Sequence, residues 1–99
     1  MLPALQNKSL RKTTSLRCND LLMFKYLDTN MPYLHFFVSR KYGNAVKRNL
    51  FKRRARLLYG NLTKKLSPVL LGMSIYPMKQ NISYVELKSC FKMLEKRVL

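Results

Sequence analysis

The chain has 99 residues, enough for one hydrophobic core and too few for two, so we predict a single domain over residues 1–99. Lysine and arginine total 20 against four acidic residues, which gives a formal net charge of +16, while 47% of the residues are hydrophobic and exclude a disordered polycation. Self-repulsion on this scale opposes folding and is best relieved by a polyanion. Nucleic acid is the leading candidate, ahead of an anionic membrane surface.

The N-terminal segment, residues 1–14, is weakly patterned and permits at most a short or frayed helix. It lacks an apolar run of signal-peptide length, so no secretory signal is expected. The longest apolar zone, residues 21–38, is interrupted by charged residues and by Pro32 and cannot cross a bilayer as one helix. Cys18 and Cys90 lack the spacing of a metal or redox site, and we predict reduced thiols in a cytoplasmic protein.

Two apolar and aromatic runs, LLMFKYL at 21–27 and YLHFFVSRK at 33–41, flank the turn-forming DTNMP and predict two strands. Alternation along the second run places two sets of residues on opposite faces: Leu34, Phe36 and Val38 on one, and His35, Phe37, Ser39 and Lys41 on the other. One face belongs to the core, and the other is available to a ligand.

A strongly basic helix follows. Gly43 breaks the strand, Asn44 is a suitable N-cap, and Gly60 predicts a helix end near Tyr59. At 100° per residue, four cations fall within an arc of roughly 140°: Arg48, Lys52, Arg53 and Arg56.

The apolar residues of this helix occupy a neighbouring arc: Phe51, Ala55 and Leu58, extended by Val46, Leu50 and Leu57. Lys47 and Arg54 fall within the apolar half, and we expect their side chains to extend outward. The helix therefore has one side for the protein and one side for a polyanion.

The remaining segments predict a strand and a second helix. SPVLLGMSIYPM, residues 67–78, is typical of a largely buried strand. Ser83 and Glu86 match the capping-box pattern of a helix start. An apolar stripe at three- and four-residue spacing is expected to pack on the sheet: Tyr84, Leu87, Phe91, Leu94 and Val98. The order strand, strand, helix, strand, helix predicts an α+β fold with the helices on one side of the sheet.

The residues offer phosphate recognition and no protein catalytic centre or metal site. The one histidine, His35, lies on a strand and the four acids are scattered, so a partner must supply any reactive groups. The helical cations can each neutralise a phosphate, and Ser39, Lys41 and Asn44 suit an RNA backbone or a hydrated metal ion held by one. Aromatic side chains are candidates for stacking on unpaired bases: Phe24, Tyr26 and Phe37. The alternative is a place in the core, because Leu22, Phe24 and Tyr26 share one side of their strand and the sequence does not show which side is open.

The stretch VSRKYGNAVKRNLFKRRAR, residues 38–56, resembles the signature of the bacterial ribonuclease P protein subunit family, V-S-K-K-x-G-N-A-V-x-R-N-R-x-K-R-x-x-R. The closing segment ISYVELKSCFKMLEKRV is also similar to the last helix of that family, and LLMFKYL fits one of its strands. The similarity extends over most of the chain and is weakest before residue 14.

The resemblance implies a fold like ribosomal protein S5 domain 2, with a left-handed strand–helix–strand crossover. It also implies two RNA partners, namely the catalytic ribonuclease P RNA and the precursor tRNA whose 5′ leader that RNA removes with RNA-bound Mg²⁺. By motif position, the residues facing the catalytic RNA would be Asn44, Arg48, Asn49, Lys52, Arg53 and Arg56. Those lining the leader cleft would be Phe24, Phe37, Ser39 and Lys41. Neither a membrane nor a small-molecule substrate is implied.

The chain departs from the family pattern at Leu50, which stands where the signature has an arginine. Arg54 is expected to compensate from a different angle, and no Phe or Tyr precedes Phe24 to supply cleft aromatics from a first helix. The residues leave two alternatives open. One is a structural RNA-binding protein of the ribosomal type with no processing role, and the other is a membrane-surface amphipathic helix over residues 45–59.

Overall fold

The structure is a computed structural model that describes residues 13–68 and 70–99. The elements, in chain order, are β1 (Thr14–Cys18), β2 (Leu22–Asp28), β3 (Tyr33–Phe36), a 3-10 turn (Arg40–Tyr42), α1 (Ala45–Leu66), β4 (Leu71–Pro77) and α2 (Tyr84–Val98). The four strands form one mixed sheet in the order β1-β2-β4-β3. The predicted α+β class is confirmed.

The first strand, β1, is not predicted from the sequence. It begins at Thr14, inside the segment interpreted as weakly patterned, of which residues 1–12 lie outside the described residues. β1 pairs antiparallel with β2 through a tight turn, where Asn19 has a positive φ of 51° and the Leu21 N–H donates to the Cys18 carbonyl. The sequence signal for β1 was the alternation of apolar Leu16 and Cys18 with polar neighbours, and both apolar residues are buried. This alternation is too short to indicate a strand by itself.

Two parallel strands at one edge of the sheet, β3 and β4, come before and after the basic helix in the sequence. β2 and β4 are antiparallel, whereas β3 and β4 are parallel and are connected through α1. This is the strand–helix–strand unit that the resemblance implies, and its left-handedness stays a prediction. Tyr33 of β3 lies against Gly72 of β4, where an added Cβ atom would stand 2.2 Å from the tyrosine ring. Glycine permits this close approach.

Alternation along the strands divides the sheet into a core face and an open face. The core face is buried beneath the helices and includes Leu22, Phe24, Tyr26, Met73 and Ile75. Both helices pack on this face, as predicted from the sequence. The opposite face carries the alternate residues of each strand.

The basic helix α1 is longer than predicted. It passes Tyr59 and Gly60 and ends at Leu66. Leu62 and Leu66 extend its buried stripe, and burial of each leucine contributes about 1.5–3 kcal/mol. This gain exceeds the roughly 1 kcal/mol that a glycine costs inside a helix. The expected stop at Gly60 is therefore wrong because packing overrides the local preference.

The apolar side of α1 is also narrower than predicted. Phe51, Ala55 and Leu58 are buried as expected, but Val46 and Leu57 are 75% and 59% exposed. Those two residues lie on the outward side of the helix, away from the sheet. A helical wheel identifies the centre of the buried stripe, whereas its width depends on the elements that pack beside the helix.

The second helix, α2, begins as predicted. The Ser83 hydroxyl accepts the Glu86 N–H, and the Glu86 carboxylate accepts the Ser83 N–H. The predicted stripe is confirmed, with full burial at its centre and partial burial at its ends: Leu87, Phe91 and Leu94, then Tyr84 and Val98. Cys90 contacts Cys18 in the core as a free thiol, and burial raises the pKa of Cys90.

Tyr59 connects α1 to both parallel strands. Its hydroxyl lies 2.6 Å from the Leu71 carbonyl and 3.3 Å from the Tyr33 carbonyl. Burial raises the pKa of this hydroxyl, so it remains a proton donor at physiological pH. The helix is therefore held at a defined position beside the β3 edge of the sheet.

Phe91→Ala is expected to lower the free energy of unfolding by about 3–5 kcal/mol. The ring is 5% exposed and packs edge-to-face on Phe24 at a centroid distance of 5.1 Å, so truncation leaves a cavity between α2 and the sheet. Urea unfolding followed by circular dichroism measures the effect. Val85→Ala, on the exposed side of the same helix, is the control and should stay within about 0.5 kcal/mol of wild type. A Phe91→Ala variant as stable as wild type would show that α2 does not pack in the core.

Acid is expected to weaken the fold partly through Glu86. Hydrogen bonds from the Lys79 ammonium at 2.7 Å and from the Ser83 N–H lower the pKa of this carboxyl in the folded protein. The stability it supplies is present above its ordinary pKa of 4.5 and is lost as the pH falls through the lower folded value. When the pH is lowered across this range, the Tm of the Glu86→Gln variant should therefore fall less than the Tm of wild type. Equal losses in both proteins would contradict this role.

Candidate nucleic-acid interface

The loop before α1 determines how the basic helix begins. Gly43 has a φ of +154°, and an added Cβ atom there would meet the Lys47 side chain at 3.0 Å. Asn44 caps the helix as predicted, because its Oδ1 accepts the Lys47 N–H at 2.9 Å. The Arg48 guanidinium donates to the Gly43 carbonyl at 2.7 Å. The Gly-Asn pair therefore sets both the helix start and the direction of its first arginine.

Three cations share the side of α1 that borders β3. Arg48, Lys52 and Arg56 are spaced four residues apart, so they lie along one flank of the helix. The Arg56 guanidinium lies 5.4 Å from the centroid of the Phe36 ring, which is within cation–π range. Phe36 packs in turn on Phe51 of the core. This flank is therefore anchored at the edge strand of the sheet.

Asn49 and Arg53 are exposed next to this flank, toward the outward side of the helix. We call the surface formed by the predicted catalytic-RNA contacts the motif face: Asn44, Arg48, Asn49, Lys52, Arg53 and Arg56. The structure thus brings all six residues to one part of the molecule, at the first half of α1 and its N-cap.

The positive charge of the motif face is not balanced within the described residues. Their ion pairs are Arg17 with Asp20, Lys65 with Glu95, and Lys79 with Glu86. None of these pairs includes a motif-face residue. Four cations on one helical surface repel each other, and an anionic partner would relieve that repulsion. The geometry favours phosphate binding.

Ser39 and Lys41 lie in a turn and not on the strand face where the sequence predicts them. β3 ends at Phe36, although the Phe37 N–H still donates to the Ile75 carbonyl at 3.0 Å. The chain then enters the 3-10 turn Arg40–Tyr42, and the two side chains line a cavity of about 290 Å³ beside residues 77–80. Hydrogen bonding to β4 ends here, so the strand alternation no longer applies.

The open face of the sheet carries a stacked aromatic pair beside a cation. Phe37 stacks on Tyr76 with ring centroids 4.6 Å apart and planes inclined by 5°. The Lys25 ammonium lies 5.1 Å from the Tyr76 centroid, and Phe37 is 52% exposed. In the next row of the sheet, Ser74 lies between Lys25 and His35. Rings and cations in this arrangement can stack on bases and contact phosphates.

Phe24 is not part of this surface, which corrects its prediction as a leader contact. Its ring is fully buried and packs on Phe91 beneath α2. Tyr26, on the same side of β2, is also buried. Both residues share their face with Leu22, and that face is covered by the helices. A ring in this position cannot stack on RNA without unfolding the domain.

Sequence reasoning also missed two residues of the open face, Lys25 and Tyr76. The available signal was Lys25 itself, because a lysine in an otherwise apolar strand marks the solvent face. That marker assigns Leu22, Phe24 and Tyr26 to the core by alternation. Tyr76 had no such marker, since only the pairing of β4 with β3 places it beside Phe37.

No helix among residues 13–68 and 70–99 is long and apolar enough to cross a membrane. In the same part of the chain, no three His, Cys, Asp or Glu side chains lie together as a metal site. The interface that the structure does present is made of cations, amides and aromatic rings.

Fold and interface together define a small α+β nucleic-acid-binding domain built around a basic helix. A family model described as Ribonuclease P matches residues 7–99. The ribonuclease P protein component of Phytoplasma australiense is 34% identical over 80 residues, which cover 76% of this chain and 70% of the relative. The chain belongs to the ribonuclease P protein family, as the sequence resemblance predicts, and it is the protein subunit of an RNA-processing enzyme.

Solved structures agree with this fold. The chain is similar to a ribonuclease P protein from Thermotoga maritima, with a TM-score of 0.67 at 24% identity over 97% of this chain and 91% of that one. It is also similar to the Staphylococcus aureus ribonuclease P protein, with a TM-score of 0.66 at 19% identity over 86% and 80% of the two chains. At these identities the matches show the fold alone.

Replacing Arg48, Lys52 or Arg56 singly with Ala is expected to weaken binding to a bacterial ribonuclease P RNA. Each loss should reduce the slope of log K against log salt by about one unit, because one phosphate contact disappears. Fluorescence anisotropy over a salt series measures the slope, and circular dichroism confirms folding. Lys96→Ala, on the exposed side of α2, is the control. Unchanged slopes in all three variants would show that these residues do not contact RNA phosphates.

Proposed function

We propose that this chain binds the ribonuclease P RNA through the motif face and the 5′ leader of precursor tRNA through the open face. The partner RNA then carries out endonucleolytic removal of the leader, in the cytoplasm. The observation that carries the proposal is the uncompensated charge of the motif face, beside the stacked pair of Phe37 and Tyr76.

Two consecutive residues at the end of β3 connect these two surfaces. Phe36 lies under the Arg56 guanidinium on the helix side, and Phe37 stacks on Tyr76 on the open side. The width of one edge strand therefore separates the motif face from the open face. An RNA bound along α1 and a single strand bound on the sheet would lie close together, as an RNA enzyme and its substrate must.

Such a position gives the protein an electrostatic role. Two RNA strands brought close repel each other, and divalent cations normally reduce that repulsion. Fixed lysine and arginine side chains between the strands do the same work. We therefore expect the protein to lower the Mg²⁺ concentration that leader removal requires.

Mg²⁺ itself is assigned to the RNA in this proposal. Among residues 13–68 and 70–99, no group of three or more His, Cys, Asp or Glu side chains lies together as a metal site. When bound by RNA, Mg²⁺ supplies the activated nucleophile for phosphodiester cleavage. The protein binds, orients and screens the two RNAs.

Ser39 and Lys41 extend the proposed leader contacts beyond the sheet. Their turn follows Phe37 directly, and both side chains are exposed at the rim of one cavity. A hydroxyl and an ammonium group in this position suit the phosphates that follow a base stacked on Phe37. The leader cleft is thus proposed at Phe37, Tyr76, Lys25, Ser39 and Lys41.

Reconstitution tests the function as a whole. Adding the protein to a matched ribonuclease P RNA at low Mg²⁺ should raise the rate of leader removal from precursor tRNA. The protein without RNA should show no cleavage. If a matched RNA bound the protein and the rate of leader removal did not rise, the proposed role of the protein in this reaction would fail.

Phe37→Ala is expected to weaken binding of precursor tRNA by about 1–3 kcal/mol, the usual contribution of a base stacked on an aromatic ring. Tyr76→Leu should act in the same direction, because it removes the second ring of the pair. Affinity is measured on the assembled ribonucleoprotein with and without a leader on the tRNA. The leaderless substrate is the control and should be unaffected. Equal losses with both substrates would place the leader elsewhere.

A further inference from the structure

Two cations of α1, Lys47 and Arg54, are not part of the motif face. They lie seven residues apart on the flank that faces α2. The Arg54 guanidinium lies 5.6 Å from the Tyr84 ring centroid of α2. Farther along the same flank, the Lys65 ammonium lies 3.0 Å from the Glu95 carboxylate of α2. These cations therefore border the line of contact between the two helices.

The second helix adds lysines to the same line. Lys88 lies 5.7 Å from the Tyr84 ring centroid, and Lys92 follows one turn later. Both residues line a groove of about 190 Å³ between the helices, together with Asn61 and Lys65 of α1. We call this surface the helix seam and define it by its polar residues: Lys47, Arg54, Asn61, Lys65, Lys88 and Lys92.

The helix seam has a large excess of positive charge. Five of its six defining residues are cations, and Glu95 is the carboxylate that pairs with one of them. Arg54 and Lys88 both lie over the Tyr84 ring. The ring quadrupole attracts each cation but neutralises neither charge. A polyanion in the groove would reduce the repulsion among the five cations of the helix seam.

The dimensions of the helix seam suit an extended anionic backbone. Lys47 and Lys65 are separated by roughly 27 Å along α1 at a rise of 1.5 Å per residue. A second depression, of about 270 Å³, lies between the first half of α1 and the start of α2 and is lined by Lys47 and Arg54. The cations are thus distributed along the line between the two helices, as successive phosphates would require, and do not converge on one point.

The helix seam is separate from the motif face. Lys52 and Arg54 differ by two positions and therefore point about 160° apart around the helix axis. Arg56 contacts Phe36 at the sheet edge, whereas Arg54 contacts Tyr84 of α2. One strand of RNA lying along the first flank does not reach the second. An RNA that engages both must present two segments.

We propose that the helix seam binds the phosphate backbone of a second RNA segment, so that α1 is held between two parts of its RNA partner. The inference rests on the proposed function, because it assumes that the motif face binds the first segment. Recognition is by charge along the backbone and is independent of sequence.

The test is the double variant Lys88→Ala/Lys92→Ala in the full chain. Its matched control is Lys64→Ala/Lys96→Ala, which removes the same charge from exposed positions outside the seam. Alanine preserves helix propensity, so both proteins should fold, and circular dichroism checks this. The probe is a bacterial ribonuclease P RNA, with binding measured over a salt series and by hydroxyl-radical footprinting.

The RNA affinity of the seam variant should fall about fivefold at 0.15 M salt. Its slope of log K against log salt should fall by about one to two units. The control should change by less than half as much. Footprinting should show loss of protection in one RNA segment, different from the segment lost in Arg48→Ala/Lys52→Ala. Equal slopes for seam variant and control, or loss of the same segment in both experiments, would overturn the inference.

These readouts separate the inference from the function on which it rests. If the motif-face variant behaves like the control while the seam variant loses affinity, the proposed function fails and α1 binds RNA through its α2 side. If the motif-face variant loses affinity and the seam variant does not, the proposed function stands and the helix seam is a solvated surface.

Discussion

The rest of this protein depends on burial of one apolar stripe of α1 against the sheet. Five side chains form that stripe: Phe51, Ala55, Leu58, Leu62 and Leu66. Their burial fixes the rotation of the helix about its axis, and Tyr59 fixes its position beside β3 and β4. Any other rotation would bury guanidinium or ammonium groups at a large desolvation cost. The cations must therefore emerge on the two flanks and the outward side.

This constraint explains how the domain offers an RNA-binding surface to an RNA-processing enzyme. The fold offsets the repulsion among its own cations with apolar burial and holds them where phosphates can reach them. One flank meets the sheet edge, where Arg56 contacts Phe36. The residue after Phe36, Phe37, lies on the open face. The other flank meets α2 at Tyr84. Binding of RNA then relieves a repulsion that folding has built in.

The sequence predicted the features that local physics controls, and it failed where distant segments compete. Both helix starts were correct, because Asn44 and Ser83 bond to backbone groups within three residues. The end of α1 was wrong, because Gly60 is a local stop signal that burial of Leu62 and Leu66 outweighs. The residues of the motif face lie on one helix and its N-cap, so the sequence could place them on one surface, whereas their RNA contacts stay a prediction.

By itself the sequence determined the charge, the α+β class, the two capped helix starts and the basic helix that carries the family signature. Alternation within one strand cannot show which strands are neighbours. The tertiary structure alone decided that β4 pairs with β3, which places Tyr76 beside Phe37 on the open face. It also decided that Arg54 faces α2, because that contact joins segments thirty residues apart.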